Sequence, residues 1–162
     1  MDYLTREELS SIGFSEIGAN TRVSRRAVFY EISGSIGDGA RIDDFAILTG
    51  HIEIGAQCHV SPFCFLGGTG GRIVLGTGAG MSTHVSLFTK SDDYQEALDG
   101  PRGKINGDIT IGRNTILGAQ CVVLPNTTIG PGCSFGIGCV VSGNHTEKSR
   151  YVSVGIKSVR IG

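Results

Sequence analysis

A six-residue repeat is the feature of this sequence that most restricts its fold. Phrases of the type Ile-Gly-x-x recur, and they begin at Ile17, Ile36, Ile54, Leu75, Ile111 and Ile129. Their separations of 19, 18, 21, 36 and 18 residues indicate an 18-residue unit with small insertions and one large one. Because eighteen is three sixes, each unit divides into three six-residue steps.

Every sixth residue within these units is apolar. Stepping by six gives eighteen apolar anchors: Ile17, Val23, Phe29, Ile36, Ile42, Leu48, Ile54, Val60, Leu66, Leu75, Met81, Leu87, Ile111, Leu117, Val123, Ile129, Phe135 and Val141. The fifth position of each step is usually small, so each step supplies one large and one small inward side chain. Such a step describes one flat side of a triangular coil. The sequence therefore predicts an all-β fold, a parallel β-helix of about six triangular coils.

Glycine and cysteine fit the same register. The chain has 26 glycines, about 16% of its residues against a usual ~7%, and nine of them directly follow an anchor, where glycine relieves a corner. All five cysteines fall in the small fifth position: Cys58, Cys64, Cys121, Cys133 and Cys139. The number is odd and no Cys-x-x-Cys pair occurs, so we predict buried thiols rather than disulfides or metal ligands.

The repeat accounts for one domain over residues 1–162, with an N-terminal cap at 1–16, the β-helix at 17–144 and a C-terminal segment at 145–162. Thr5 followed by Glu8 is a capping box, which predicts a short helix in the cap. A net charge of -1 gives no basic field for nucleic acid, and no stretch approaches the roughly 18 apolar residues of a membrane span. We expect an intracellular protein with no nucleic-acid partner and no membrane insertion.

The unit that begins at Leu75 is twice the normal length. A loop over residues 90–108 must therefore leave the coil. Loops of this length in a compact solenoid are usually functional or disordered, and we expect this one to shape a site. The alternative is a solvent-exposed insertion without a function.

The repeat phrases resemble the signature of the hexapeptide-repeat acyltransferases, and the resemblance covers nearly the whole chain. Within that superfamily the sequence looks most like the maltose and galactoside O-acetyltransferases and their relatives in bacterial surface-polysaccharide gene clusters. The similar stretches include ARIDDFAILTG, HVSLFTKSDDY and ITIGRNTILGAQCVVLPNTTIG. The resemblance implies a left-handed β-helix, a homotrimer, acetyl-CoA bound between neighbouring subunits and a cytoplasmic location in a bacterium.

Acetyl transfer from a thioester to a hydroxyl needs a base for the acceptor proton. Of the four histidines, His84 is the best placed for catalysis or acceptor binding, because it lies outward in the coil that launches the loop. The alternative is a surface histidine without a function. The resemblance aligns Asp92 with the catalytic histidine of the maltose and galactoside enzymes, so the usual base is missing. Three alternatives remain: His84 is the base, Asp92 or Asp93 is the base or orients another group, or the acceptor is an amine that needs less help.

The resemblance places the donor groove along the last coils. The backbone at Ala119 and Ile137, each after a repeat glycine, matches positions that contact the pantetheine arm, and basic residues of the C-terminal segment could meet the CoA phosphates. A solvated basic tail is the alternative for the latter. The predicted cofactor-binding residues are Gly118, Ala119, Ile137, Ser142, Lys148, Arg150, Lys157 and Arg160.

We therefore predict an acetyl-CoA-dependent acetyltransferase that acts on a sugar hydroxyl in surface-polysaccharide (O-antigen or capsule) synthesis. The first alternative is an N-acetyltransferase acting on an amino-sugar nucleotide. The second is a non-catalytic trimeric scaffold or sugar-binding protein. No metal is expected, because the γ-type carbonic anhydrases that share this architecture need a His-x4-His pair, which this sequence lacks.

Overall fold

The structure, a computed structural model, describes residues 2–93 and 103–153. In chain order its elements are α1 (Arg6–Ile12), β1 (Phe14–Ile17), β2 (Arg22–Val23), β3 (Val28–Ile36), β4 (Arg41–Ile42), β5 (Ile47–Ile54), β6 (His59–Val60), β7 (Phe65–Leu75), β8 (Gly80–Met81), β9 (Ser86–Phe88), β10 (Lys90–Asp92), β11 (Lys104–Asn106), β12 (Ile109–Ile111), β13 (Ile116–Leu117), β14 (Val122–Val123), β15 (Thr127–Ile129), β16 (Ser134–Phe135), β17 (Val140–Val141), β18 (Asn144–His145) and β19 (Arg150–Tyr151).

These strands wind into the predicted left-handed parallel β-helix with three flat faces. Face 1 contains β1, the second halves of β3, β5 and β7, and then β12, β15 and β18. Face 2 contains β2, β4, β6, β8, β13, β16 and β19. Face 3 contains the first halves of β3, β5 and β7, and then β9, β14 and β17. Neighbouring strands on each face pair in parallel, so the same hexad position recurs at the same place in successive coils.

The interior of the prism is the predicted one. All the apolar anchors except Phe29 are buried, and Phe29 packs edge-on against Phe14 with ring centroids 6.0 Å apart. All five cysteines are buried and free, which confirms their prediction as core thiols.

The N-terminal cap is the short helix α1. The Glu8 backbone N–H donates to Oγ1 of Thr5 at 3.2 Å, and the Thr5 N–H donates to Oε2 of Glu8 at 2.7 Å. This reciprocal capping box satisfies two donors that the helix itself cannot. Leu9 is buried beneath the helix, and β1 already pairs in parallel with β3, so the first coil includes the last residues of the predicted cap.

Two columns of left-handed residues mark two corners of the prism. The first corner, between faces 1 and 2, contains Asn20, Gly39, Gln57, Gly78, Asn114 and Gly132. The second corner, between faces 2 and 3, contains Phe45, Phe63, His84, Gln120 and Gly138. The φ angles in both columns lie between 54° and 74°.

The predicted loop leaves the prism after β9. Its two ends form the antiparallel pair β10–β11, and residues 94–102 lie outside the described part of the chain. The chain returns to face 1 at Asp108, whose carboxylate accepts a 2.8 Å hydrogen bond from the Arg72 backbone N–H.

Beyond residue 144 the chain continues the stack in parallel. β18 pairs with β15, and β19 pairs with β16. The Tyr151 ring stacks on that of Phe135, with centroids 4.5 Å apart and planes at 7°. The described residues contain no helix long and apolar enough to cross a lipid bilayer.

Candidate active site

The second corner brings the predicted base and the predicted donor contacts onto one line. The His84 N–H donates to the Pro62 carbonyl at 3.3 Å, the Gln120 N–H to that of Thr83 at 3.1 Å, and the Gly138 N–H to that of Ala119 at 2.9 Å. His84, Ala119 and Ile137 therefore lie in three consecutive coils at this corner. The fold thus brings His84 and Ile137, which are 53 positions apart in the sequence, to the same corner.

A neighbouring hydroxyl fixes the tautomer of His84. Oγ1 of Thr83 lies 2.8 Å from the carbonyl oxygen of Pro62 and 3.0 Å from Nδ1 of His84. A hydroxyl has one hydrogen, and a carbonyl can only accept, so Thr83 donates to Pro62 and Nδ1–H of His84 donates to Thr83. Nε2 of the neutral ring then carries the lone pair and accepts no hydrogen bond from the described residues. This is the form that a general base requires.

The other three histidines have their ring nitrogens engaged differently. His59 donates from Nε2 to Oδ2 of Asp43 at 2.8 Å, and Nε2 of His51 lies 3.0 Å from Oε1 of Glu53. His145 donates from Nε2 to the Ser142 carbonyl at 2.9 Å. Neither His59 nor His51 lies at the second corner, since β6 is on face 2 and the second half of β5 is on face 1.

The two candidate aspartates lie at the base of the loop. Asp92 ends β10 and forms an ion pair with Nζ of Lys104 on β11. The Asp93 backbone N–H donates to the Gly103 carbonyl at 3.0 Å, which closes the described part of the hairpin. Asp92 therefore belongs to a paired strand and Asp93 directly follows it, and the carboxylate of Asp92 is partly neutralised by its cation.

The predicted donor contacts divide into two groups. The backbone N–H groups of Ala119 and Ile137 donate no hydrogen bond to the described residues, and the Ile137 side chain is exposed. The N–H of Gly118 is already used between coils, since it donates to the Phe135 carbonyl of the next coil at 2.8 Å. Ser142 follows β17 at the end of face 3. Within the described part of the chain, two backbone donors at the second corner are thus left for a ligand.

The predicted cations lie at the first corner instead. Lys148 lines a cavity of about 340 Å³ together with Arg113 and Thr146, and a second cavity of about 260 Å³ together with Arg150. The short strands of face 2 separate these cavities from Ala119 and Ile137. Arg113 was not among the predicted cofactor-binding residues, although it lies in the last coils, where the resemblance places the donor groove. Lys157 and Arg160 lie outside the described residues.

Two aromatic residues at the second corner were also missed. The ring of Phe63 stacks on that of His84, and the ring of Phe45 stacks on that of Phe63. The repeat could have shown this, because all three residues stand three positions after an anchor and so occupy one hexad slot. No group of three or more His, Cys, Asp or Glu side chains within residues 2–93 and 103–153 is arranged to hold a metal ion.

Comparison with known proteins places this corner in a wider context. Residues 104–143 match the family model described as bacterial transferase hexapeptide (six repeats). The chain is 29% identical to dTDP-4-amino-4,6-dideoxy-D-glucose acyltransferase of Escherichia coli over 152 residues, which cover 87% of this chain and 79% of that protein.

Solved structures of AntD, an N-acyltransferase from Bacillus cereus, share the fold along almost the whole chain. The complex of AntD with dTDP and 3-hydroxybutyryl-CoA is 30% identical, has a TM-score of 0.83, and is matched over 98% of this chain and 88% of that one. A serine-to-cysteine variant of AntD in complex with dTDP-4-amino-4,6-dideoxyglucose and coenzyme A is 29% identical and has a TM-score of 0.83. The match covers 98% of this chain and 89% of that one.

Proposed function

The chain belongs to the hexapeptide-repeat acyltransferases, and from this premise we propose that it transfers an acyl group from a coenzyme A thioester to the amine of a nucleotide-linked amino sugar. It is an acyltransferase, so the scaffold alternative is set aside. The observation that carries the proposal is the likeness, over 98% of this chain, to an N-acyltransferase that binds dTDP and an acyl-CoA together. The unshared Nε2 of His84 beside the free N–H groups of Ala119 and Ile137 supports it.

The proposed reaction requires the protein to transfer one proton. The C–S bond of the thioester breaks as the C–N bond of the amide forms, so coenzyme A leaves as its thiolate and the attacking nitrogen loses a proton. In this proposal Nε2 of His84 accepts that proton and returns it to the departing thiolate, which leaves as the free thiol, while Thr83 holds the ring through Nδ1–H. The second corner offers no carboxylate hydrogen-bonded to His84 among the described residues, so the imidazole acts without an anionic partner.

An amine acceptor suits this arrangement better than the hydroxyl predicted from the sequence. A neutral amine attacks a thioester without prior deprotonation, whereas a hydroxyl needs strong general-base help. The E. coli relative acts on an amino sugar by its name, and AntD is an N-acyltransferase. The hydroxyl acceptor remains the second candidate, and Asp92 or Asp93 remains the alternative base for it.

The donor part of the proposal uses both corners of the last coils. The N–H groups of Ala119 and Ile137, with Gly118 and Ser142 beside them, contact the pantetheine arm. Arg113, Lys148 and Arg150 contact phosphates from the cavities at the first corner.

A homotrimer is the assembly we propose, with face 3 turned toward a neighbouring subunit. The outward side chains of this face are apolar in most coils, and Val28, Tyr30, Ile47 and Val140 are exposed in the isolated chain. Burial of such a column on association is favourable. The predicted cytoplasmic location and role in surface-polysaccharide synthesis belong to the same proposal, since both substrate classes are activated small molecules.

The test is thiol release from acetyl-CoA and 3-hydroxybutyryl-CoA, measured with a dTDP-4-amino sugar and with the corresponding 4-hydroxy sugar. We expect release with the amine only, and a loss of about 100-fold in kcat for His84→Asn, which is the low end for removal of a general base because an amine needs less help than a hydroxyl. Asparagine tolerates the left-handed backbone of this corner. Gln57→Asn, at the first corner, is the matched control and should keep the wild-type rate.

Release with the hydroxy sugar alone would establish the second candidate instead. An unchanged rate in His84→Asn would remove His84 from the mechanism and direct attention to Asp92 and Asp93.

A further inference from the structure

Three aromatic rings form a continuous stack along the second corner. The centroids of Phe45 and Phe63 lie 5.2 Å apart with planes at 21°, and those of Phe63 and His84 lie 5.0 Å apart with planes at 13°. About half of the surface of Phe45 and of Phe63 is exposed. We call the exposed rings of Phe45 and Phe63 the aromatic platform.

The platform sits where the fold favours small residues. Its residues have φ angles of 63° and 62°, a conformation that costs a side chain with a bulky Cβ substituent and suits Gly or Asn. At the first corner, the same left-handed backbone is occupied by Asn or Gly in five of its six positions: Asn20, Gly39, Gly78, Asn114 and Gly132. Two successive phenylalanines at exposed left-handed positions bring a backbone cost that local stability does not explain. Such a cost points to a role for the rings.

The platform extends from His84 away from the donor side. Along the corner, Phe45 and Phe63 precede His84 by two and one coils, whereas Ala119 and Ile137 follow it by one and two. A molecule that presents an amine to His84 opposite the thioester therefore extends over Phe63 and Phe45. Two coil spacings of roughly 4.8 Å give a reach of about 10 Å, which is on the scale of the separation between the sugar and the base of a sugar nucleotide.

We propose that the aromatic platform binds the nucleobase of the acceptor by stacking; this rests on the proposed function, in which the acceptor is a nucleotide-linked sugar. Phe63 has a ring stacked on each side, so the open planar face of the platform is that of Phe45, at the end of the stack, and it suits a planar heterocycle. Arg26, in the coil before Phe45, holds an exposed guanidinium paired with Asp44, and supplies a cation beyond the end of the platform. A second copy of the chain is the competing occupant of these rings.

The test compares two ligands that differ only in the base. Binding of dTDP and of 2-deoxyribose 5-diphosphate is measured by calorimetry for the wild type, for the double variant Phe45→Asn/Phe63→Asn, and for Gln57→Asn. Stacking on an aromatic side chain predicts that the wild type prefers dTDP by roughly 5- to 150-fold. The double variant should lose this preference, while its affinity for the ligand without a base stays the same. Gln57→Asn should keep the preference.

Equal affinity of the wild type for both ligands would overturn the platform as a base site, and so would a preference that survives in the double variant. Sedimentation of the same proteins tests the competing occupant, because a double variant that dissociates would show that the rings pack between copies. Thiol release with the dTDP-amino sugar is read separately. A wild type that prefers dTDP but forms no product supports the platform and contradicts the proposed function.

Discussion

His59 donates a hydrogen bond from Nε2 to Oδ2 of Asp43 across 2.8 Å, although the Asp43 side chain is only 5% exposed. The same carboxylate accepts from Nε of Arg41 at 2.5 Å. Burial on its own raises the pKa of Asp43, but the hydrogen bonds from Arg41 and His59 outweigh it and hold that pKa below its ordinary value. A buried carboxylate on face 2 thus links the strands β4 and β6.

Replacement of Asp43 should destabilise the fold. Asp43→Ala leaves two donors without their acceptor, and because both donors are partly exposed we expect a loss of about 1–3 kcal/mol in the free energy of unfolding. Urea denaturation measures this. Asp2→Ala removes a carboxylate that is 81% exposed and should change stability by less than about 0.5 kcal/mol. Equal losses in the two variants would show that the buried network contributes nothing of its own.

The capping box makes the free energy of unfolding depend on pH in the acid range. Hydrogen bonds from Arg25 and from the Thr5 backbone lower the pKa of Glu8 from 4.5 to about 2. A carboxyl whose pKa is lower in the folded state stabilises that state above the unfolded value, and this contribution disappears as pH falls from about 4.5 toward 2. We expect the free energy of unfolding to fall over this range, and to fall less steeply in Glu8→Gln, which can still cap the helix. Urea titrations at several pH values check this, and parallel curves for the two proteins would contradict it.

Most of the fold could be predicted because the hexad is a direct consequence of coil geometry. A side chain at every sixth position must point inward on one flat face, so the register alone identifies the buried residues. Local insertions were harder to place. Counted from the anchor Phe29, the hexad register predicts Ser33 in the small inward position, but Ser33 points outward and its hydroxyl is hydrogen-bonded to Nδ1 of His51, while Ile32 is buried instead.

The reason is a bulge between Tyr30 and Ser33, which includes Glu31 in the left-handed conformation. A shift of one residue exchanges the two faces of a strand. Ile17 and Ile36 are 19 residues apart rather than 18, which indicates one inserted residue in this coil. The sequence does not show at which position the strand accommodates it.

The candidate site was predictable only in part. The placement of His84 and Ala119 could be predicted from the repeat register together with the resemblance, because both residues lie where the backbone turns. The stacking of Phe63 on His84 and the role of Thr83 depend on side-chain contacts at an exposed corner. The repeat does not constrain those contacts, so they required the three-dimensional structure.

Corner glycines should tolerate substitution very differently. A Cβ on Gly112 would lie 2.3 Å from the backbone carbonyl carbon of Gly130 in the next coil, a contact that only separation of the coils relieves. We expect Gly112→Ala to cost more than about 2 kcal/mol in unfolding free energy. Gly138 has a φ of 74°, and no atom of the described residues lies within 4 Å of where its Cβ would be, so Gly138→Ala should cost only the left-handed strain of about 1–2 kcal/mol, and Gly138→Asn less. Thermal denaturation of the three variants ranks them, and a Gly112→Ala protein as stable as Gly138→Asn would contradict the close approach of the coils.

The buried thiols should resist modification until the coils open. Burial raises the pKa of Cys64 to about 11, and it also raises the pKa of Cys58 and of Cys121. Because the thiolate is the reactive form, we expect native protein at pH 8 to react with a disulfide reagent far more slowly than the five free thiols in guanidinium chloride. Cys139 should react first, since it is the most exposed of the five at 7% and lies in the last full coil. Cys139→Ala should then remove the fastest phase and leave the others unchanged. Rapid reaction of several thiols in the native protein would mean that the interior of the prism opens readily, contrary to its continuous apolar core.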